Sequence, residues 1–536
     1  MNILEKMTSL DWKTNMADYK VLLTTSGLGS RLGNLTKFTN KSLVRVGDKP
    51  VISHIIETYS EDVEFVVTLG HYGSHVKQYL TLAHPDRKIQ FVEVDNYMGE
   101  GSSLLYSISL CEEYLQTPFV FHACDTILPK NYIDDVDFSS NWSIGGRGEN
   151  SQSYRTVNCL NGKIASINEK GEQNYDYIYV GVSGINDYVK FWNQVKEILS
   201  SVKTSDLSDC HVVRKMDDFY VIPIEDWYDI GNIDSLKNTR SKIKGTVNVL
   251  DKEDENIFIF DNFVIKFFNN KKMCSDRVLR AKSLNGLVPN IIDSSENFYK
   301  YEYLEADLMS DSVSLYRFVD LLNWAKNNLW QPKEQENYIE NATKFYKDKT
   351  IIRVKKFLEK YGLEDTSEVI NGMRVPSMME MLENIDYTQL IGPNPTGFHG
   401  DFILDNILVS PKFKDQFKLI DWRQDFNGVI ESGDMYYDLA KLNHNLILNH
   451  SILHDKKFSV DFDNDTIVCD VFVKKTLLDF KSMLKDFCEY NQIDYSKIEI
   501  LTSLIWINMS PLHEHPLDTF LYYFGKYNLF LNLVTK

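Results

Sequence analysis

Three polar residues in the second half of the chain have the types and the spacing that phosphoryl transfer requires. Asp401 follows His399 and Gly400, Asn406 comes shortly after it, and Asp421 ends an apolar run. The reaction needs a carboxylate that takes the proton of the acceptor hydroxyl, and oxygen ligands that hold Mg²⁺ against the nucleotide phosphates. We therefore predict Asp401 as the catalytic carboxylate, and Asn406 and Asp421 as ligands of Mg²⁺.

A β-hairpin must bring these residues together. After Asn406 the sequence predicts a strand over residues 407–409, a turn at Ser410-Pro411, and a returning apolar strand over residues 417–420. The second strand runs into Asp421. The hairpin is therefore expected to place the three functional side chains next to one another.

With these residues, the second half resembles the small-molecule kinases of the aminoglycoside phosphotransferase and choline kinase type. The resemblance extends to Gly433-Asp434 and to Asp438 in a Tyr-Asp-Leu-Ala run. It implies a two-lobed α+β kinase-like domain over residues 245–536, ATP as the phosphate donor, Asp438 as a structural brace, and His399 as the residue that orients the loop. The Ala-Pro-Glu and Asp-Phe-Gly motifs of protein kinases are missing, so the expected acceptor is a small molecule.

The predicted amino lobe of this kinase is less complete. Lys266, in the strand-like run of residues 263–267, is predicted to bind the ATP phosphates. No glycine-rich loop precedes it, because residues 251–255 are acidic, and the following helix around Arg277 offers no glutamate as its partner. A regulatory module without catalysis therefore stays open for this half.

A second group of candidate residues follows the apolar strand of residues 21–23. Gly27 and Gly29 let backbone N–H groups approach an anion, and Arg31 and Lys41 can neutralise its charge. The segment is neither a Walker A loop nor a dinucleotide-binding fingerprint. We predict that these four residues bind the phosphates of a nucleotide, and that Arg31 and Lys41 also act in catalysis.

In its order of Gly-x-Gly-x-Arg-Leu and then Lys-Ser-Leu, this segment resembles the nucleotidyltransferases that join a nucleoside triphosphate to a sugar phosphate or to phosphocholine. Two positions depart from the pattern of that family. Ser26 replaces an alanine, and Asn40 replaces the proline before Lys41. Loss of the proline is expected to loosen the loop without removing the charge.

The same resemblance implies further site residues. Asp125 and Asp229 would hold the catalytic Mg²⁺, Lys170 would bind the phosphate of the acceptor, and Gly101 and Ser102 would enclose the nucleobase. The acceptor phosphate would attack the α-phosphorus in line, and pyrophosphate would leave. Mg²⁺ is thus expected at both sites, with ATP and a second nucleotide, CTP or UTP, as co-substrates.

The length, pattern and charge of the whole chain indicate its domains and the class of protein. Its 536 residues fit two domains, and residues 18–244 alternate strands with amphipathic helices, as a doubly wound, Rossmann-like α/β domain does. The connection to the second domain is expected near residues 243–249.

The net charge of −18 argues against nucleic acid as a partner. No apolar run is long enough for membrane insertion and the seven cysteines are scattered, so we expect a cytoplasmic enzyme, with homo-oligomerisation left open.

Two further clusters are expected to be structural. His513 and His515 lie two positions apart beside Pro516, which suits a metal site poorly. The aromatic residues at positions 520–527 could cage a quaternary ammonium, but aromatic residues in such a helix usually pack a core.

The sequence therefore predicts a bifunctional enzyme. The second half would phosphorylate a small hydroxylated compound, and the first half would convert the product to a nucleotide-activated precursor for surface glycan or lipid assembly. A sugar or a sugar-like polyol is slightly favoured as the acceptor. Three alternatives stay open: a choline kinase joined to a phosphocholine cytidylyltransferase that makes CDP-choline, an active nucleotidyltransferase with a regulatory kinase-like module, and an enzyme whose second half phosphorylates protein.

Overall fold

The chain forms two compact units. The computed structural model describes residues 19–130, 132–133, 136, 138–148, 151–201, 206–216, 218–247, 252–463 and 465–534. The first unit contains the described chain up to Lys271 together with residues 292–303, and the second contains residues 272–291 and those from Leu304 onward. Residue 18 and parts of the segments 243–249 and 251–255 lie outside the described residues. The boundary between residues 244 and 245 stays a prediction.

A nine-stranded sheet forms the centre of the first unit. Its strands are β1 (Lys20–Thr24), β2 (Glu64–Leu69), β3 (Ile89–Glu93), β4 (Phe119–Ala123), β5 (Asn141–Gly146), β6 (Thr156–Leu160), β7 (Lys163–Asn168), β8 (Tyr177–Ile185) and β9 (Phe219–Ile224). They lie in the order β3-β2-β1-β4-β8-β5-β9-β7-β6. The first four in this order are parallel, with Leu22 opposite both Val66 and Phe121. Because β8 is antiparallel to β4, the sheet is mixed beyond β4.

Helices cover both faces of this sheet, which confirms the predicted α/β class. They are α1 (Val51–Ile56), α2 (Gly73–Ala83), α3 (Leu104–Ser109), α4 (Tyr188–Ser201), α5 (Asp209–Val213) and α6 (Ile233–Lys242). Side chains of β1 alternate between two buried clusters: Val21 and Leu23 belong to one, and Leu22 to the other. A strand that is buried on both faces reads as a continuous apolar run, which is why residues 21–23 are all apolar.

A four-stranded sheet follows, in the order β10-β11-β13-β12. Its strands are β10 (Glu255–Ile259), β11 (Phe263–Phe268), β12 (Ile291–Ser294) and β13 (Phe298–Glu302), and α7 (Lys271–Ser283) lies between β11 and β12 in the chain. The ring of Tyr79 on α2 lies 5.2 Å from the ring of Phe258, and His75 lies 5.0 Å from Phe267. This sheet therefore shares the hydrophobic core of the first unit.

The second unit is mainly helical. Its strands are β14 (Asp307–Leu308), β15 (Glu368–Ile370), β16 (Met373–Val375), β17 (Ile407–Val409), β18 (Phe417–Leu419), β19 (Phe458–Asp463) and β20 (Thr466–Val471). Its helices after α7 are α8 (Met309–Ser312), α9 (Leu315–Trp324), α10 (Tyr338–Tyr361), α11 (Met378–Glu383), α12 (Tyr387–Leu390), α13 (Met435–Ile447), α14 (His450–His454), α15 (Lys475–Tyr490), α16 (Tyr495–Met509) and α17 (Leu517–Val534).

The predicted hairpin is confirmed, since Ile407 of β17 pairs with Leu419 of β18. The aromatic residues of α17 pack into the core, as expected. Phe520 is fully buried, and the ring of Tyr522 stacks on Phe357 at 4.2 Å. All seven cysteines are free thiols. In the described part of the chain, no helix is both long and apolar enough to cross a bilayer.

Candidate active sites

The glycine-rich turn after β1 brings Lys41 to the end of β4. Gly29 has a φ of 66°, and a Cβ added there would lie 2.8 Å from Lys41 Cβ, so only glycine leaves room for this approach. Lys41 Nζ donates a hydrogen bond of 3.0 Å to Asp125 Oδ2. Burial disfavours both charges, but their mutual attraction outweighs it. The pKa of Lys41 is therefore raised and the pKa of Asp125 is lowered.

Asp125 and Asp229 face the same small space. Asp229 is held opposite Thr126 by a short antiparallel pair of strands. A Cβ added at Gly231 would lie 3.1 Å from Asp229 Oδ1 and 3.6 Å from Asp125 Oδ2. Burial, and then the charge of Asp125, raises the pKa of Asp229. In the described residues, no group of three or more metal-binding side chains surrounds this point. A pair of carboxylates nevertheless fits Mg²⁺, which commonly binds one or two carboxylates together with substrate phosphates.

Two cavities that share Arg31 and Asp229 open at this point, with volumes of about 770 Å³ and about 200 Å³. The smaller one is also lined by Asp125 and Lys170. The structure thus brings together four of the predicted residues, and Lys41 joins them through Asp125. Gly27 and Gly29 shape the turn rather than line either cavity.

The predicted nucleobase residues lie on a different loop. Gly101 has a φ of 83°, and Ser102 Oγ donates to the carbonyl of Gly99 at 2.7 Å, just before α3. Neither residue lines the two cavities, although Leu104 at the start of α3 lines the smaller one. Their role in binding the base stays a prediction.

Asn40 does not loosen the loop, so that expectation was wrong. Its side chain is fully buried, and its amide Nδ2 donates to the carbonyls of Thr25 and His71 at 2.7 and 2.6 Å. Its Oδ1 accepts from the backbone N and the Oγ of Ser42 at 2.9 and 2.8 Å. These four hydrogen bonds hold the residue before Lys41 to the segments that follow β1 and β2 and to Ser42.

Sequence reasoning missed two groups at this site. Tyr154 donates its hydroxyl to Asp229 Oδ2 at 2.8 Å. Asp209 lines the smaller cavity and accepts a hydrogen bond from the Tyr179 hydroxyl. Burial raises the pKa of Asp209 to about 6. Neither position belongs to a motif, so no signal in the sequence singled them out.

In the second unit, Asp438 braces the loop that carries Asp401. Its carboxylate accepts from the backbone N–H groups of His399 and Gly400, each at 2.7 Å, and from Trp330 Nε1 at 3.0 Å. Burial raises its pKa to about 6. The structural role predicted for Asp438 is confirmed.

His399 is buried, and its ring contacts the backbone beside both Asp401 and Asp421. One ring nitrogen, Nε2, lies 3.0 Å from the carbonyl oxygen of Ile420, and the other, Nδ1, accepts from the backbone N–H of Asp401 at 3.3 Å. Burial lowers its pKa to about 4, so the ring is neutral. These contacts match the orienting role predicted for His399.

Asp401 and Asn406 are in direct contact. Asn406 Nδ2 donates to the backbone carbonyl and to Oδ2 of Asp401, at 3.0 Å in both cases. Asp421 has a left-handed φ of 59°, a conformation that is costly for aspartate and recurs at functional sites. The side-chain carbonyl oxygen of Asn406 and the carboxylate of Asp421 are the groups that could bind Mg²⁺ here.

Two cations at this site were not predicted. Arg277 of α7 donates to Asp421 Oδ1 at 2.9 Å, and Lys441 of α13 donates to Asp401 Oδ1 at 2.7 Å. Lys266 lies on β11 of the first unit, where it is buried opposite Ile257 and Tyr299. Its predicted contact with ATP stays a prediction.

Comparison with known proteins bears on the first of these sites. No family model matches the chain. The bifunctional protein GlmU of Methanococcus vannielii is 22% identical over 259 residues, which cover 45% of this chain and 59% of that protein. The choline-phosphate cytidylyltransferase of Streptococcus pneumoniae is 26% identical over 127 residues, or 23% of this chain and 53% of that protein.

The N-terminal half matches sugar-phosphate and phosphocholine nucleotidyltransferases. The chain spans less than two thirds of the length of these curated relatives. A solved CTP:phosphocholine cytidylyltransferase from Streptococcus pneumoniae aligns over 42% of this chain and 100% of its own, with 23% identity and a TM-score of 0.36. The nucleotidyltransferase-like half contains the cluster of Arg31, Lys41, Asp125 and Asp229.

Proposed function

We propose that the first half of the chain is a nucleotidyltransferase that acts on a small phosphate monoester and uses CTP or UTP. The observation that carries the proposal is the contact of Lys41 with Asp125, beside Asp229, at the edge of a cavity that Lys170 also lines. The similarity to enzymes of this kind over part of the half supports it. Lys170 is suited to bind the acceptor phosphate.

The proposed transfer needs no covalent enzyme intermediate. An oxygen of the acceptor phosphate attacks the α-phosphorus, and the bond from that phosphorus to the β-phosphate oxygen breaks, so that pyrophosphate leaves. Mg²⁺ held by Asp125 and Asp229 would neutralise charge on the triphosphate. Arg31 and Lys41 would stabilise the charge that develops on the leaving group.

We propose further that the second half phosphorylates a small hydroxylated compound with ATP. The support is the contact of Asp401 with Asn406 on the braced loop, and the position of Asp421 at the end of the hairpin. The acceptor hydroxyl would attack the γ-phosphorus while Asp401 takes its proton, and ADP would leave. The product is a phosphate monoester, which is the kind of substrate that the first half would consume.

A pyrophosphate-release assay tests both proposals on the full chain. ATP, Mg²⁺ and a panel of sugars, polyols, sugar acids and amino alcohols would be crossed with CTP, UTP, GTP and dTTP. We expect release that depends on ATP, on one acceptor and on one pyrimidine nucleotide. Asp125→Asn should abolish pyrophosphate release and spare ADP formation.

Asp401→Asn should abolish ADP formation and, with it, pyrophosphate release from the unphosphorylated acceptor, and a pre-phosphorylated acceptor should restore that release. Release from the pre-phosphorylated acceptor by the native chain, without any ADP formation, would refute the kinase proposal and favour a regulatory second half. Loss of ADP formation in Asp125→Asn, or loss of pyrophosphate release from the pre-phosphorylated acceptor in Asp401→Asn, would refute the model of two separate sites.

A further inference from the structure

A cationic cavity of about 420 Å³ lies in the second unit, between α10 and the segment that follows Asp421. Its charged lining includes Lys349, Arg353, Lys356 and Arg423, against Asp348 and Asp425. The chain as a whole carries a net charge of −18, so an excess of cations around one cavity is a local departure from its composition. Such an excess attracts anions.

The cavity adjoins the loop that carries Asp401. Gly400 has a φ of 87°, and a Cβ added there would lie 2.5 Å from Arg423 Cβ and 3.0 Å from Arg423 Cδ. The backbone N–H of Arg423 donates to the carbonyl of His399 at 3.0 Å. Burial lowers the pKa of Lys441, the partner of Asp401, but the charge of Asp401 outweighs burial and the pKa is raised; Arg423 is close enough to oppose this rise. The proposed catalytic carboxylate and the cavity are thus joined through Arg423 and Lys441.

The cations of the cavity are poorly neutralised by the protein. Neither Lys349 nor Arg353 forms an ion pair within the described part of the chain, and the attraction of Asp425 for Lys349 is weaker than the repulsion from each of the neighbouring cations. The ammonium of Lys349 lies 4.7 Å from the ring centre of Phe345 and 5.8 Å from that of Tyr437. Burial, and then the charges of Arg423, Lys441 and Arg353, holds the pKa of Lys349 well below its usual value. An anion in the cavity would relieve this repulsion.

We propose that this cavity binds an anionic group of the phosphate acceptor, so that the substrate of the second half is a small hydroxylated acid. The inference rests on the proposed kinase function and narrows its substrate class. Carboxylates and phosphates share the chemistry that an arginine fork recognises. Fixing the anion beside Arg423 would hold a hydroxyl of the same molecule near Asp401. Choline, which carries a positive charge, would be repelled.

Calorimetric titration of the full chain tests the binding. The probes are gluconate, inorganic phosphate and glucitol, which has the carbon skeleton of gluconate without its carboxylate. We expect at least one of the two anions to bind about tenfold or more tightly than glucitol. Arg353→Ala should remove the difference, Arg353→Lys should retain part of it, and Lys355→Ala on the exposed face of α10 should leave it unchanged.

The comparison of the two anions shows whether a carboxylate or a phosphate is preferred. Equal binding of glucitol, no binding of either anion at millimolar concentration, or binding that is insensitive to Arg353→Ala would overturn the inference.

Steady-state kinetics with ATP separates this inference from the proposed function. Arg353→Ala should raise the KM of an acidic acceptor about tenfold or more and leave the KM of ATP unchanged. A raised KM for ATP alone would assign the cavity to nucleotide phosphates, and the inference would be wrong. Anion binding that depends on Arg353, in a chain that transfers no phosphate to any acceptor, would refute the kinase function and leave the anion site standing.

Discussion

Lys441 Nζ lies 2.7 Å from Asp401 Oδ1, and this ion pair decides the protonation state of the proposed catalytic carboxylate. Burial alone would raise the pKa of Asp401. The attraction and the hydrogen bond of Lys441 outweigh burial, so the pKa lies below its usual value. Asp401 is therefore ionised at neutral pH and ready to accept a hydrogen bond from an acceptor hydroxyl.

Replacing Lys441 should shift the pH dependence of phosphorylation. In Lys441→Ala the burial of Asp401 remains and the compensating charge is lost, so the pKa of Asp401 rises. The acid limb of the rate profile should therefore move to higher pH. Lys441→Arg keeps the charge and should restore most of the native profile. An unchanged acid limb in Lys441→Ala would show that Asp401 is not the titrating base.

Gly400→Ala should impair phosphorylation because the loop has no room for a methyl group. The new Cβ would clash with Arg423 and displace Asp401, and misplacement of about 1 Å costs about 100-fold in rate. Gly372→Ala is a matched control, since Gly372 has a similar φ of 78° and nothing within 4 Å of an added Cβ. ADP formation would be measured for both variants. Equal losses would point to backbone strain alone.

Asn40→Ala should weaken the nucleotide-binding turn of the first unit. The change removes four hydrogen bonds, at about 1 kcal/mol each, and takes this donor away from the buried carbonyl of Thr25. We expect a lower temperature of inactivation for pyrophosphate release. Asn40→Pro should also destabilise, because proline has no amide for Thr25 and His71. The exposed Asn174→Ala serves as control, and an unchanged inactivation temperature in both Asn40 variants would contradict the bracing role.

Asp209→Asn should stabilise the first unit more strongly as pH rises. The pKa of Asp209 is raised from 3.8 to about 6 in the fold, so its favourable contribution is complete below about pH 4 and is lost as pH rises through about 6. A shift of about two units corresponds to about 3 kcal/mol. The difference in melting temperature between the variant and the native chain should therefore grow from pH 4 to pH 7. A constant difference would show that the carboxylate does not titrate in this range.

The sequence predicted those parts of the sites whose residues are close to one another along the chain. Asn406, the two short strands and Asp421 lie within one hairpin. Their spacing in the sequence is therefore enough to predict that Asn406 and Asp421 lie close together. The apolar run at residues 21–23 likewise predicted a buried strand. Lys441 and Arg277 reach Asp401 and Asp421 from helices that are distant in sequence, and only the tertiary packing pairs them.

Asn40 shows a different limit of sequence reasoning. The prediction that Asn40 loosens the loop rested only on the stiffer backbone of the proline that it replaces. The side chain instead forms hydrogen bonds to the carbonyls of Thr25 and His71, which follow two different strands, β1 and β2. Such compensation depends on where the neighbouring carbonyls point, and the sequence does not give their direction.

The chain passes between the two compact units three times, after Lys271, after Ile291 and after Tyr303. The two units are therefore interleaved in the gene. A single recombination crossover cannot exchange one unit for that of another protein, and truncation of the chain after residue 244 would remove Phe258 and Phe267 from the core they share with α2. Exchange of either unit as a whole would need a junction at each of these three passages.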